Sequence, residues 1–197
     1  MPPRQDPTLG RDAEATKARL LAAATEEFAA YGIAGARVDR ISAAAKVNKS
    51  LIYTYFGNKD QLFDAVMNTH VTRLMDLVPL TAHDLPGYAG LLFDFLLANP
   101  HQLRLATWYR LERGGTGLSP ANIDSSMREK TAAISAAQAE QVVSTRLAPD
   151  DLLVFVLSLV CGWLPSSPHA LPGSTEEQVR GHRAAVVAAV RLLVESR

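Results

Sequence analysis

Apolar residues recur along this chain at intervals of three and four, the spacing that lines one face of an α-helix. Leu20, Ala24, Phe28 and Tyr31 make the first such stripe, on a helix expected over residues 11–31 and ended by Gly32. Two short helices are expected at about 38–45 and 49–55, the first turning Val38, Ile41 and Ala44 inward. Asn58 and Gln61 have the form of a capping box. They open a longer helix, carrying Leu62, Phe63, Val66, Met67 and Leu74, that Pro79 stops. Further helices fit residues 86–98, 101–113 and from Ser119-Pro120 to about Arg146. Pro149 opens another, stopped by Pro165, and Ser174 with Glu177 reads as the capping box of a last helix reaching about Ser196. No segment alternates with period two. The expected fold is all-α, with about nine helices.

Composition narrows the class. Of the 197 residues, 48% are hydrophobic and 20% charged, which suits a packed globular chain and not a disordered one. Residues 1–10, with Pro2, Pro3 and Pro7, are expected to form a mobile arm and carry no apolar run that would make a signal peptide. The longest apolar run, Leu152 to Leu164, is 13 residues, short of the roughly 20 that span a bilayer. The lone Cys161 allows no intrachain disulfide. A cytoplasmic protein without membrane attachment is expected.

Charge changes the picture more. The formal net charge is zero, yet between Arg37 and Lys59 five basic residues (Arg37, Arg40, Lys46, Lys49, Lys59) face one acid, Asp39. A locally basic segment running into aromatic residues is the footprint of a nucleic-acid reader. Two short helices joined by a tight turn at Lys46-Val47 fit a helix-turn-helix, whose second helix enters the major groove by its N-terminal end. Asn48 is suited to cap that helix, and Lys46 and Lys49 to meet phosphate. The hydroxyls of Tyr53 and Tyr55 suit phosphate oxygens, and Lys59 can reach the backbone on the flank. Asn48, Lys49, Ser50, Leu51 and Thr54 are placed to read base edges: Lys49 by donating to guanine, Leu51 and Thr54 by touching thymine methyls. Singly, each lysine is an ordinary surface residue and each tyrosine ordinary helix packing. Their joint order carries the reading.

Residues 11 to 63 resemble the TetR family of repressors. The matching features are Phe28 with Tyr31-Gly32, Ile41-Ser42, the turn Ala45-Lys46-Val47-Asn48, Ile52-Tyr53, Tyr55-Phe56, Lys59 and Leu62. Three departures stand out. Ala36-Arg37 occupies the place of a hydroxyl pair, so Arg37 brings charge where the family has a cap. Lys46 replaces the usual turn glycine, and Ser50 a glycine or alanine. The resemblance implies a helix-turn-helix domain over 11–58, an effector-binding and dimerisation domain over 59–197, and repression as the habit.

A half-site reader needs a two-fold partner, which makes a homodimer on a palindromic operator the expected assembly. Two apolar helices near the C-terminus are expected to form its face, through Leu152, Val156, Leu159, Val160 and Trp163 on one and Val179, Val186, Val190 and Leu193 on the other. A pocket for an unidentified, largely apolar effector is expected among Phe93, Leu97, Leu105 and Trp108, with Tyr109, Met127, Ile134 and Phe155. Core packing is the competing role for each of these. A helical enzyme or a protein-binding adaptor is the alternative function. The sequence holds no His-Glu-x-x-His, no Cys/His metal spacing, no glycine-rich phosphate loop and no G-x-S-x-G, so no catalytic residue, cofactor or metal ligand is assigned.

Overall fold

The computed structural model describes residues 7–114, 121–164, 167, 170 and 173–195. Among them are nine α-helices and no strand: α1 Pro7–Gly35, α2 Val38–Ala45, α3 Ser50–Phe56, α4 Lys59–Leu77, α5 Leu85–Ala98, α6 Pro100–Arg113, α7 Ala121–Ala139, α8 Pro149–Cys161 and α9 Glu176–Val194. Helix α1 already runs at Pro7, a residue that costs little at a first turn because its missing N–H would have no partner there. Residues 7–10 are thus helical and not an arm. Residues 1–6, the Ser119-Pro120 cap and the Pro165 stop lie outside the described residues.

The chain divides into two compact units: residues up to His70 together with 104–118, and residues 71–103 together with 119–197. The division therefore falls inside α4 and inside α6, and not at 58/59.

In the first unit Leu20, Ala24, Phe28, Ile41, Ile52, Leu62, Phe63, Val66 and Leu105 are fully buried. Phe28 and Phe63 meet edge to face at 5.1 Å. Tyr31 leaves the expected stripe and is 52% exposed, with the Arg40 guanidinium 4.2 Å above its ring. The cause is next door. Gly32 takes φ 71°, ψ −175°, which breaks α1 and hands the inward role to Ile33. In α2, Ala44 is exposed and Ala45 buried, because the short helix turns Ile41, Ser42 and Ala45 inward.

The second unit packs α5 against both α8 and α9, with α7 against α8. Tyr88, Phe93, Ile134, Leu152, Val156, Val160, Val186 and Val190 form its core. Gly90 permits the α5–α9 approach: a Cβ there would stand 2.9 Å from Arg183 Nη2 and 3.1 Å from Val187 Cγ2. Arg183 closes over it onto Asp94, at 2.8 and 2.9 Å.

Two boundaries differ from expectation. Helix α7 ends at Ala139 and not near Arg146, since Gln141 takes φ 62° and the buried Gln138 amide holds the following turn through Ser144 O (2.8 Å) and Leu147 O (2.9 Å). The capping box of α9 is Thr175 with Gln178, one residue later than Ser174 with Glu177. That register turns Val186, Val190 and Val194 inward.

These burials also correct the expected dimer face. Leu152, Val156, Val160, Val186 and Val190 are each at 0% exposure within their own subunit, so they have no surface to offer a partner. Leu159, Val179 and Leu193 are partly buried against the same core. Only Trp163 of the expected set stays 36% exposed.

Candidate nucleic-acid interface

Helix α2 ends in a Schellman turn. Lys46 takes the left-handed conformation (φ 56°, ψ 46°), its N–H donates to Ala43 O and the Val47 N–H donates to Ser42 O. A lysine in this conformation is uncommon and mildly strained, which is the physical content of its standing where a glycine is usual. The turn then delivers Asn48, whose Oδ1 accepts from both the N–H and the Oγ of Ser50 at 2.9 Å. Asn48 is the cap expected of it.

From there α3 is anchored by one residue. Ile52 is fully buried, while Leu51, Tyr55 and Phe56 are half-buried. Lys49, Ser50, Tyr53 and Thr54 are all exposed, and their spacing places them on a single outward face. The Thr54 hydroxyl donates to Ser50 O at 3.0 Å, so its proton is used within α3 while its oxygen can still accept. Asn58 accepts from the Gln61 N–H at 2.8 Å and starts α4.

The basic residues separate into two groups. Arg40 is structural: its guanidinium grips the buried Glu27 carboxylate and donates to Gly35 O. Glu27 also accepts from the Arg37 N–H at 2.8 Å. Burial works against the charge on Glu27, but Arg40 and the Arg37 amide outweigh it and hold the carboxyl below its ordinary 4.5. Lys59 donates to the Ala34 and Ala36 carbonyls at 3.3 Å, so it ties α4 to the end of α1 instead of reaching outward. Lys49 pairs with Asp39 at 2.7 Å across an exposed α2–α3 contact, which holds its ammonium above the ordinary lysine value. Arg37 and Lys46 are both exposed, and among the described residues neither side chain forms an ion pair, although the Arg37 charge also helps hold the Glu27 carboxyl low.

Sequence reasoning missed three contributors. Lys17 on α1, paired with Glu14, sits 5.6 Å from the Tyr55 ring. Glu27 organises the α1–α2 corner. Helix α6 braces the end of α1 with residues four apart: Arg104 and Trp108 both donate to Ala29 O, at 2.8 and 3.2 Å. One turn on, Glu112 accepts from the Ile33 (3.1 Å) and Ala34 (2.7 Å) amides freed by the break at Gly32. A Cβ at position 32 would lie 2.2 Å from Glu112 Oε1, so only glycine fits under this brace. Arg113 grips Asp60 and Asp64 at the start of α4.

The expected effector residues are divided. Leu105, Trp108 and Tyr109 fall in the first unit. In the second, Phe93 and Ile134 are packed core, whereas Leu97 and Phe155 are 38% and 48% exposed. Met127 lines a cleft of about 560 Å³ with Thr131, Leu153 and Val154. A second cleft of about 220 Å³ lies between the C-terminal part of α4 and α7, with Met75, Val78, Leu80, Ser126 and Lys130 on its walls. Among the described residues no group of His, Cys, Asp and Glu could hold a metal ion, and no helix is long and apolar enough to cross a membrane.

Comparison with known proteins places this geometry. The sequence profile described as "Bacterial regulatory proteins, tetR family" matches residues 20–66, and "Tetracyclin repressor-like, C-terminal domain" matches residues 84–191. The HTH-type transcriptional repressor SCO4008 of Streptomyces coelicolor is 38% identical over 189 residues, which cover 94% of this chain and 98% of the repressor. The crystal structure of SCO4942 from Streptomyces coelicolor superposes with a TM-score of 0.79 at 34% identity, covering 92% of this chain and 99% of that one. AibR, crystallised in complex with isovaleryl coenzyme A and operator DNA, shares the fold with a TM-score of 0.61 at 19% identity, over 90% of this chain and 97% of its own.

Proposed function

The chain belongs to the TetR family of bacterial regulatory proteins, and from that we propose that it is a DNA-binding transcriptional repressor, dimeric on a palindromic operator and released by a small molecule. The observation that carries the reading is α3: seven residues, one fully buried anchor at Ile52, and an outward face of Lys49, Ser50, Tyr53 and Thr54. Such a helix does little for its own core, and its exposed side chains are those that contact phosphates and base edges. Arg37 and Lys46 flank it with exposed charge and supply the phosphate contacts. Lys49 exchanges Asp39 for DNA on docking, a cheap exchange because exposed ion pairs are weak.

The dimer face lies on the outward sides of α8 and α9, opposite the residues that fill the subunit core. Val154, Phe155 and Trp163 are exposed on and just beyond α8, and Leu192 is 70% exposed on α9. Ala184, Ala185 and Ala188 between them are small and exposed, which lets two copies approach closely. Two copies place two recognition helices on successive major grooves, about 34 Å apart. Release follows when ligand occupancy in the second unit changes that spacing. Helices α4 and α6, each shared between the two units, are the connections available to carry the change. The complex of AibR with both an acyl-coenzyme A and operator DNA supports a ligand-responsive reading.

The test is selection of bound fragments from a random DNA pool, followed by titration of the recovered site at several salt concentrations. An inverted repeat bound by two subunits is expected, and Tyr53→Ala should weaken it at least about tenfold. Recovery of no preferred sequence, with equal binding by the variant, would overturn the proposal.

A further inference from the structure

The cleft between α4 and α7 contains a feature that packing does not account for. Its walls are Met75, Val78, Leu80 and Ala133, yet α7 sends Ser126 and Lys130 into it from positions four apart on one face. Ser126 is 5% exposed and Lys130 half-buried. Among the described residues no carboxylate lies within ion-pair distance of Lys130, although Glu129, also at the cleft, is its chain neighbour. A cation held in an apolar recess without a partner is destabilising, and folding does not require one at this place. Burial pushes the Lys130 ammonium below its ordinary value, with Glu129 only partly offsetting this. An incoming anion would remove that penalty.

We propose that this cleft binds a small monocarboxylate with a compact apolar body, its charge held by Lys130, its second oxygen by the Ser126 hydroxyl, and its body by Met75, Val78 and Leu80. The volume of about 220 Å³ sets the size. An apolar cavity of about 150 Å³ accommodates benzene, so this cleft takes roughly nine non-hydrogen atoms, the size of benzoate or hexanoate. The assignment names the chemical class of the effector and rests on the reading of the second unit as the ligand-responsive part.

Calorimetric titration of the full chain with benzoate and hexanoate, set against methyl benzoate, tests it. Both acids should bind, and the ester at least about tenfold more weakly, since a hydrogen bond to a charged group is lost. Lys130→Met should cost the acids a similar factor, leave the ester unchanged, and raise the melting temperature by removing the stranded charge. Ala133→Trp should fill the cleft and abolish binding of all three, which guards against misreading a folding defect in either variant alone. Equal affinity for acid and ester, undiminished acid binding by Lys130→Met, or no binding at millimolar concentrations would overturn the inference. Operator affinity of the same samples separates it from the repressor reading. If the protein binds its operator but no acid, only the inference fails. If an acid binds without altering operator affinity, the effector role fails. If the free protein binds no operator, the repressor reading falls, whatever the acids do.

Discussion

The two units hold themselves together by different means. The second is a sandwich of apolar helices around Tyr88, Phe93, Leu152 and Val186, in which polar groups work mostly at the margins, such as Arg183 over Gly90 and Arg146 on the last carbonyls of α9. Even its buried tyrosine follows this rule, with the Tyr88 hydroxyl pushed up to about 12 by burial alone. The first unit has a smaller core and is pinned by charges answering backbone groups: Glu27 with Arg40 and the Arg37 amide, Lys59 on two carbonyls, Glu112 on two amides. A small reading head that must leave α3 exposed has little apolar surface left to bury, so directional contacts do the holding. The price is sensitivity to pH and to single charge changes, where the second unit is sensitive to voids.

The sharpest way to break this contrast is Phe93→Ala. It should cost about 3–5 kcal/mol in denaturant unfolding by opening a cavity in the second unit. Operator affinity of the protein that remains folded should be nearly unchanged. A comparable loss in operator affinity would mean that the units are not energetically distinct.

Next comes Glu27→Gln. Because the folded carboxyl sits below 4.5, its stabilisation is complete above that value and is lost as pH falls through the lower folded value. The wild-type melting temperature should therefore drop below pH 4.5 partly through this group, and the variant should lose that component. At pH 7 the variant should melt roughly 3 °C lower, a shift of about 1 kcal/mol for a chain of this size.

Lys46→Gly sharpens the comparison because stability and binding should move in opposite directions. Relief of the left-handed lysine should stabilise by about 0.5–1 kcal/mol. Operator binding should weaken on all sequences, with the salt slope shallower by about one ion. The smallest effect is expected at α9: Thr175→Ala removes one side of the capping box and should cost about 0.5–1 kcal/mol, readable as a small melting shift with DNA binding intact.

How much of this was legible beforehand depended on range. The α2–α3 unit was readable because its determinants are neighbours: Asn48 caps two residues on, Lys46 turns where it stands, and Ile52 alternates with exposed positions at helical spacing. The α6 brace was not, since Trp108 meets Ala29 from 79 residues away and nothing in either neighbourhood announces it. By sequence alone Trp108 reads as an aromatic pocket residue. Lys59 is hard to read for a related reason: a lysine near a basic segment looks free until the two carbonyls it serves are seen.

The C-terminal helices show a second limit. A stripe such as Val186, Val190 and Val194 reveals that one face is apolar, but not whether its own subunit or another fills it. The outward face carries Phe155 on α8 and Leu192 on α9, a sparser apolar stripe than the core one. The capping box of α9 shifted by one residue because Ser174 and Thr175 are both competent caps, with an acceptable third residue after each. The choice between them is made by packing.

The broken end of α1 bears on any attempt to dissect the molecule. Ile33, Ala34 and the Ala29 carbonyl are answered by groups borrowed from α6, and Leu105 from the same helix is wholly enclosed in the first unit. A fragment cut at residue 58, or even after His70, keeps every element of the helix-turn-helix and discards its keystone. The DNA-reading head is therefore discontinuous in sequence, and a stand-alone version would have to be built by grafting residues 104–113 back onto it.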